Sequence, residues 1–460
     1  MGKRKITKTK GGVQRAKAPA KDVPRDLPAV QTPPLAEEPA SFPQRIRSYF
    51  RLQLVLPALI VFLVALPIFN RLIGGSSDKS DMVDFHAHIR IATGLRQGGE
   101  APAYPLFHYS LALLASDNTY LTPGRMAALL LALALAWRAY LSASLLTARN
   151  SLSLLTIIGS CLTLAVAMPL PNWWAAPMQI ITEQSRDAIG MQMLKQVPVP
   201  ELWMVPMTYW GSVSPNVWHN PTVIFAMPFA LLVFVVGVRA LEKPSLAILS
   251  WLSASMVISL FAKPNYVLAF APCFGVALLI RLRQEVMASR QTLASAMLQI
   301  LAAALPPFLV LAWQFQSAYA GDMEERAGVI FAPLRAWREL TPYVSASLLL
   351  STLFPVSVLV IYRRAALRDI ELALAWAVLA VAVAMFALLA ETGRRATHGN
   401  FGWGANLANH ILFVATCAFL FRQPRSISRA ISFGILGLHV TSGLICLVRC
   451  LAIPSLASIF

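Results

Sequence analysis

Long apolar runs separated by short polar turns make up most of the chain after residue 50. Most of these runs approach the roughly 20 residues that an α-helix needs to cross the hydrocarbon core of a bilayer. They lie near 52–70, 122–146, 151–170, 221–239, 245–262, 265–281, 293–315, 342–362, 370–390, 405–421 and 430–448. The pattern predicts an all-α polytopic integral membrane protein with about eleven transmembrane helices.

The run at 104–116 is shorter than the others and begins with Tyr104-Pro105. If it lies along the membrane instead of crossing it, every later cytoplasmic turn carries positive charge, as the positive-inside rule requires. The residues concerned are Arg149, Arg239, Lys243, Arg281, Arg283, Arg290, Arg363, Arg364, Arg368, Arg422, Arg425 and Arg429. We therefore predict a multi-pass protein of the cell inner (plasma) membrane, with its N-terminus in the cytoplasm and its C-terminus outside.

Composition agrees with a membrane protein, since 57% of the residues are hydrophobic, 13% are charged and the mean hydropathy is +0.61. Soluble domains carry roughly twice that charged fraction. The net charge of +18 is explained first by topology, so no nucleic-acid partner is predicted. The sequence contains no GxxxxGK[ST] motif, and the chain is therefore not itself an ATPase.

Two regions divide the chain. Residues 1–48 are rich in Lys, Arg, Pro and Ala without an apolar period, which predicts a disordered basic cytoplasmic tail. Residues 49–460 form the transmembrane domain. Because the inner turns are short, function is expected in the four longer outer loops, 71–121, 171–220, 316–341 and 391–404.

The first outer loop carries an amphipathic pattern that starts at Asp84. Phe85, His88, Ile89 and Ala92 recur at intervals of three and four residues, which predicts a helix lying on the membrane. The helix dipole favours an ionised carboxylate at its N-terminal end. Asp84 is thus either a functional carboxylate or simply the cap of this helix.

These residues, followed by Pro105-Leu106-Phe107-His108-Tyr109 before the second span, resemble the first outer loop of the GT-C class of glycosyltransferases. That class includes the protein O-mannosyltransferases and the lipid A aminoarabinose transferases. The resemblance covers about residues 50–145, and it identifies the 104–116 run with the class's membrane-parallel helix.

The resemblance implies an enzyme that takes a sugar from a polyprenyl-phosphate carrier and passes it to an acceptor hydroxyl at the outer face. Asp84 would be the general base, and a single displacement would invert the anomeric carbon. Phe85 stands where many members carry a second acidic residue, so a second carboxylate must come from elsewhere, with Asp81 as the nearest candidate.

Cations on the outer side are candidates for contacting the carrier phosphate. Lys263 lies between two closely spaced spans, where a lone cation is costly unless it reaches water or meets an anion. Arg394, Arg395 and His398 form a second set that departs from the positive-inside trend. An exposed loop balanced by Glu391 would explain that second set equally well.

The end of the second outer loop is dense in aromatic and amide side chains, as sugar sites are. Its candidate substrate-binding residues are Asn216, Trp218, His219 and Asn220. An interfacial aromatic belt accounts for the earlier tryptophans of this loop, Trp173, Trp174 and Trp203.

His86 and His88 are further substrate-binding candidates. At positions i and i+2 of a helix they point about 200° apart, so they are poor partners for one metal ion. No metal site is predicted, and a Mg²⁺ requirement is left open without support.

The sequence thus favours a membrane glycosyltransferase of cell-envelope glycan, glycolipid or protein glycosylation. Its predicted partners are a lipid-linked sugar donor, membrane lipids and a glycan or lipid acceptor. An O-antigen-type polymerase, or a non-enzymatic transporter or flippase for lipid-linked glycans, stays as the alternative. The near absence of charge within the spans argues against transport through the centre.

Overall fold

The computed structural model describes residues 54–75, 84–116, 118–146, 152–165, 211–319, 328–341, 343–393 and 399–452. The predicted tail, residues 1–48, lies outside these ranges, as do most of the second outer loop and the tip of the third.

Helices make up nearly all of the regular structure. The first five are α1 (Val55–Gly75), α2 (Phe85–Arg96), α3 (Leu106–Leu114), α4 (Pro123–Leu146) and α5 (Leu152–Leu164). The middle of the chain forms α6 (Pro221–Glu242), α7 (Leu246–Ala262), α8 (Asn265–Met287), α9 (Leu293–Tyr319) and α10 (Arg335–Leu340). The last six are α11 (Val344–Ser351), α12 (Leu353–Tyr362), α13 (Arg364–Arg368), α14 (Ile370–Leu388), α15 (Gly402–Arg422) and α16 (Ile427–Ala452).

Eight of these helices, α1, α4, α6, α8, α9, α14, α15 and α16, are long and apolar enough to cross a membrane. Helices α11 and α12 meet at a bend of 66° and would make a ninth span together. The chain is therefore a multi-pass, all-α membrane protein. The other two predicted spans correspond to the shorter helices α5 and α7, so the number eleven stays a prediction.

Polar side chains set where the spans begin. Asn220 caps α6 by accepting a hydrogen bond from the Val223 amide at 3.0 Å, and Pro221 occupies the first turn, where its missing N–H costs nothing. Asp369 caps α14 in the same way, with its Oδ1 3.0 Å from the Leu372 amide nitrogen. The starting points of these helices are thus encoded locally.

The two first-loop helices are held by aromatic packing against the spans. Phe85 of α2 packs edge-on against Phe69 of α1, with ring centroids 6.2 Å apart. Phe107 of α3 meets Phe225 of α6 at 5.4 Å, and both Phe85 and Phe107 are buried. Edge-to-face aromatic pairs contribute about 0.5–1.5 kcal/mol each, so these contacts hold α2 and α3 against the spans.

A segment without regular structure, residues 211–220, is buried along its whole length. Buried backbone carbonyls need hydrogen-bond partners, and these come from side chains of neighbouring helices. Trp337 Nε1 donates to the Gly211 carbonyl at 2.7 Å, Asn406 Nδ2 to Ser214 at 2.8 Å and Asn409 Nδ2 to Val213 at 2.6 Å. Helix α15, which supplies both amides, is almost entirely buried. The segment is a packed part of the core, and it ends at Asn220.

Two three-residue strands, β1 (Val329–Phe331) and β2 (Leu389–Glu391), pair antiparallel and place Val329 opposite Glu391. The side chain and amide of Thr392 close this ribbon against Gly328. The ribbon carries the chain directly from α14 to Glu391, whose side chain is buried.

A buried polar cluster as the candidate active site

Asp84 lies at the start of α2 and directs its carboxylate away from the helix's own amides. The Asp84 side chain makes no capping hydrogen bond to α2. Its Oδ2 instead accepts a hydrogen bond from Asn220 Nδ2 at 2.6 Å, across 136 residues of sequence. The Asp84 side chain is therefore not a hydrogen-bonding cap of α2, and its role as a functional carboxylate stays a prediction.

Asn220 connects Asp84 to Lys263 through Thr222. Thr222 Oγ1 donates to Asn220 Oδ1 at 2.8 Å and accepts from Lys263 Nζ at 2.8 Å. The capping of α6 fixes which end of the Asn220 amide is oxygen, because Oδ1 accepts from the backbone and leaves Nδ2 for Asp84. Carboxylate and ammonium are thereby joined by one oriented chain of hydrogen bonds.

Lys263 is only 3% exposed and lies in the turn between α7 and α8. Its Nζ sits 5.1 Å from the ring centroid of Tyr104 and 5.8 Å from that of Trp403, within the range of cation–π attraction. Burial lowers the pKa of Lys263 from 10.5 to about 8, while the negative charges of Asp84 and Glu391 oppose that shift. At neutral pH the ammonium keeps its charge.

Glu391 is the second carboxylate that faces Lys263, and it is 6% exposed at the end of β2. It accepts a hydrogen bond from Asn400 Nδ2, and Asn265 Nδ2 in turn donates to the Asn400 carbonyl at 2.7 Å. From the sequence alone, Glu391 is expected only as a counter-charge for Arg394 and Arg395. The pairing of β1 with β2 brings it to the cluster, which a single sequence does not show.

Three histidines surround the cluster and stay uncharged at neutral pH. His88 Nδ1 and His108 Nε2 are 2.8 Å apart. Burial, then the charges of His108 and Lys263, together lower the pKa of His88 to about 3. Burial and the charge of Lys263 lower the pKa of His108 to about 4. Burial and Lys263 likewise lower the pKa of His219 to about 4. Their imidazoles supply neutral hydrogen-bonding groups and leave Lys263 as the cation of the cluster.

Of the residues proposed from sequence, the structure gathers Asp84, His88, Lys263, His219 and Asn220 around this cluster. His86 is half-buried on the same helix as Asp84. Asp81, Arg394, Arg395 and His398 lie outside the described residues. The cluster also contains Thr222, Tyr104, His108, Trp403, Glu391 and Asn400, which are not among the site residues predicted from the sequence.

Asn216 and Trp218 have contacts inside the protein. Trp218 is 4% exposed and packs against Phe69 with ring centroids 5.6 Å apart. Asn216 Oδ1 accepts a hydrogen bond from Arg138, and its Nδ2 lies 3.4 Å from the Leu162 carbonyl. These two side chains hold the 211–220 segment in place, and their role in substrate binding stays a prediction.

Arg138 forms a second buried polar group, which departs from the expectation of spans almost free of charge. It lies within α4 and is 2% exposed. Its guanidinium donates to His410 of α15 at 3.0 Å, to the Pro215 carbonyl at 3.1 Å and to Asn216. An arginine in the middle of the 122–146 run was the signal in the sequence, since the other arginine of the run, Arg125, lies near its start.

The described residues do not offer a fit for Mg²⁺. Among them, no group of three or more His, Cys, Asp or Glu side chains is arranged to hold a metal ion. Among the residues that the structure describes here, Lys263 is the cation that interacts with the charges of Asp84 and Glu391.

Protein-family models, curated proteins and solved structures contain no match to this chain.

Proposed function

We propose that this protein is a membrane glycosyltransferase that moves a sugar from a polyprenyl-phosphate carrier to an acceptor hydroxyl. The observation that carries the proposal is the hydrogen-bonded chain Asp84–Asn220–Thr222–Lys263, which holds a carboxylate and an ammonium at one buried site. Transfer from a lipid phosphate needs a base for the incoming hydroxyl and a cation for the departing phosphate.

Asp84 acts as the general base in this mechanism. The acceptor oxygen forms a bond to the anomeric carbon while its proton passes to an Asp84 carboxylate oxygen. The bond from the anomeric carbon to the phosphate oxygen breaks on the opposite face, which inverts the anomeric centre. Asn220 orients the carboxylate through its amide N–H, at 2.6 Å from Oδ2.

Lys263 receives the charge that develops on the departing polyprenyl phosphate. Few waters reach it, because the side chain is 3% exposed, so its field is weakly screened. Glu391 raises the pKa of Lys263 and so helps to keep the ammonium charged. Among the described residues no group is arranged to hold a metal ion, so Lys263 is the group that meets the phosphate charge. Asp81 remains a candidate second carboxylate of the first loop.

The topology that goes with this function has eleven spans, a cytoplasmic N-terminus and an active site at the outer face of the inner membrane. Helices α5 and α7 would then complete the set as short spans, and α2 and α3 would lie along the membrane. The lengths of α2 and α3, twelve and nine residues, suit helices that do not cross the bilayer.

The test is label transfer by purified protein in lipid nanodiscs, supplied with radiolabelled polyprenyl-phosphate sugars and a membrane glycolipid extract. Wild type should transfer label and Asp84→Asn should lose at least about 100-fold of the rate, as expected when a general base is removed. Glu100→Gln, which removes an exposed carboxylate from the same loop, is the matched control and should keep the rate. Equal transfer by wild type and Asp84→Asn would overturn the role of Asp84.

A transporter or flippase for lipid-linked glycans is the second candidate, favoured by buried Arg138 beside a non-helical segment and by the 66° break between α11 and α12. Transporters build their sites from broken helices and buried charges. The same nanodisc assay separates the candidates, because a flippase yields no labelled product. An O-antigen-type polymerase would instead extend a glycan from a lipid pyrophosphate, and its candidate arginines are Arg394 and Arg395.

A further inference from the structure

A basic turn lies at one face of the membrane, between α12 and α14. Helix α12 ends at Tyr362 and the span α14 begins at Ile370, so the short helix α13 between them lies at that face. Arg363, whose φ is +39°, turns the chain sharply, and α13 therefore does not continue α12. The three exposed basic residues of this turn, called the α13 arginines below, are Arg363, Arg364 and Arg368.

The carboxylates next to α13 are already paired with another arginine. Arg422, at the end of α15, donates to Asp369 Oδ2 at 2.7 Å and to Glu371 Oε2 at 2.9 Å. The ion pairs formed among the described residues do not include the α13 arginines. Within the part of the chain that the structure describes, the charges of the α13 arginines are therefore not neutralised.

The basic turn between α8 and α9 is arranged differently. The guanidinium groups of Arg281 and Arg290 lie 2.8 Å and 3.6 Å from the same carboxylate oxygen of Glu285. Positive charge is thus partly balanced inside that turn, whereas at α13 it faces the surroundings. The number of basic residues in the sequence does not show this difference, because it depends on which side chains meet.

Apolar side chains are exposed beside the α13 arginines. Leu367 is 60% exposed, while its neighbour Ala366 is buried and anchors α13 to the protein. Val360 of α12 and Ile370 of α14 are exposed as well. An exposed leucine among arginines is typical of a helix at the membrane interface, where the apolar side chain enters the acyl region and the cations stay at the level of the headgroups.

This combination of groups suits an anionic phospholipid. A phosphodiester accepts paired hydrogen bonds from a guanidinium, which makes arginine well suited to phosphate. The acyl chains of the same molecule would cover Val360, Leu367 and Ile370. A free phosphate ion would use the arginines and leave these apolar side chains uncovered.

We propose that the α13 arginines bind the headgroup of an anionic phospholipid, whose acyl chains lie on Val360, Leu367 and Ile370. This lipid site and the candidate active site lie at opposite ends of α14, whose 19 residues span about 28 Å. The inference goes beyond the proposed function and does not depend on it.

The test measures lipid binding to the purified full-length protein in detergent by native mass spectrometry. The probes are anionic phosphatidylglycerol, zwitterionic phosphatidylcholine and inorganic phosphate. The double variant Arg364→Gln, Arg368→Gln should bind its tightest phosphatidylglycerol about 25-fold more weakly than wild type, since each basic residue near an anionic headgroup contributes about fivefold. Binding of phosphatidylcholine should not change, because its headgroup has no net charge.

The matched control is the double variant Arg281→Gln, Arg290→Gln. It removes the same charge from the turn between α8 and α9, where Glu285 already pairs with both arginines, and it should keep most of the affinity for phosphatidylglycerol. A second variant, Arg364→Lys with Arg368→Lys, keeps the charge without the fork of donors and should bind with intermediate affinity. Melting temperatures equal to that of wild type show that the variants are folded.

Three results would overturn the inference. The first is wild-type affinity for phosphatidylglycerol in the α13 glutamine variant. The second is an equal loss in the control variant, which would assign the effect to overall surface charge. The third is displacement of the bound lipid by inorganic phosphate but not by chloride at the same ionic strength, which would assign the arginines to a soluble anion. Label transfer does not enter the measurement, so each of these results leaves the proposed function untouched.

Discussion

Arg138 and His410 are 272 residues apart in sequence and meet inside the helix bundle, with the Arg138 Nε 3.0 Å from His410 Nε2. Both side chains are almost completely buried. The same guanidinium reaches the Pro215 carbonyl and Asn216, so it ties α4 and α15 to the 211–220 segment. The position of Asn220 and His219 at the candidate site therefore depends on a contact made elsewhere in the core.

Replacing Arg138 should destabilise the protein strongly. Arg138→Ala leaves the Pro215 carbonyl, Asn216 and His410 buried with fewer partners, and we expect a loss of about 2 kcal/mol or more in the free energy of unfolding. Thermal unfolding in detergent measures the effect. Arg138→Lys should recover only part of the stability, because an ammonium lacks the fork of donors.

The control for this change is Arg125→Ala in the first turn of the same helix. Arg125 is exposed and donates to the Thr119 carbonyl at 2.8 Å. Its loss should change the free energy of unfolding by less than about 0.5 kcal/mol. Similar melting temperatures for Arg138→Ala and wild type would mean that the guanidinium does not hold the segment.

The sequence predicted the membrane class, the helical runs and several members of the cluster, because these depend on residues that are close together in the chain. Asp84, Lys263 and Asn220 were each recognisable from their own surroundings. Glu391, Trp403 and Arg138 were not chosen, because their roles come from contacts between distant elements. Trp218 is a residue type common in sugar sites, but its ring packs against Phe69 inside the protein.

The rate of label transfer should fall as the pH rises, with an apparent pKa near that of Lys263. Burial lowers the pKa of Lys263 to about 8, so above that pH the site loses the cation that we propose receives the phosphate. Glu391→Gln removes a charge that raises this pKa and should move the alkaline limb to lower pH. The measurement is the initial rate of label transfer between pH 6 and 9.5. An unshifted limb in Glu391→Gln would contradict the electrostatic role of Glu391.

Asn220 should contribute to both helix capping and activity, and the two effects can be separated. Asn220→Ala removes the cap of α6, which costs about 1 kcal/mol, and also the N–H that orients Asp84, so transfer should fall about tenfold or more. Ser245→Ala removes the cap of α7, where Ser245 Oγ lies 3.4 Å from the Ile248 amide nitrogen. Thermal unfolding should show a loss of stability in both variants. The rate of label transfer should fall only in Asn220→Ala. A comparable rate loss in Ser245→Ala would assign the effect to stability alone.

The neutral histidines should make the protein less stable in mild acid. The folded-state pKa values of His88 and His108, about 3 and about 4, lie below the ordinary value of 6.5. Between those values the unfolded chain binds more protons than the folded protein, so stability rises with pH through this window and falls on acidification below about 6.5. His88→Gln keeps a polar side chain that does not titrate, and it should flatten the dependence of melting temperature on pH between 6.5 and 4.5. A pH profile identical to that of wild type would mean that His88 is not buried as a neutral imidazole.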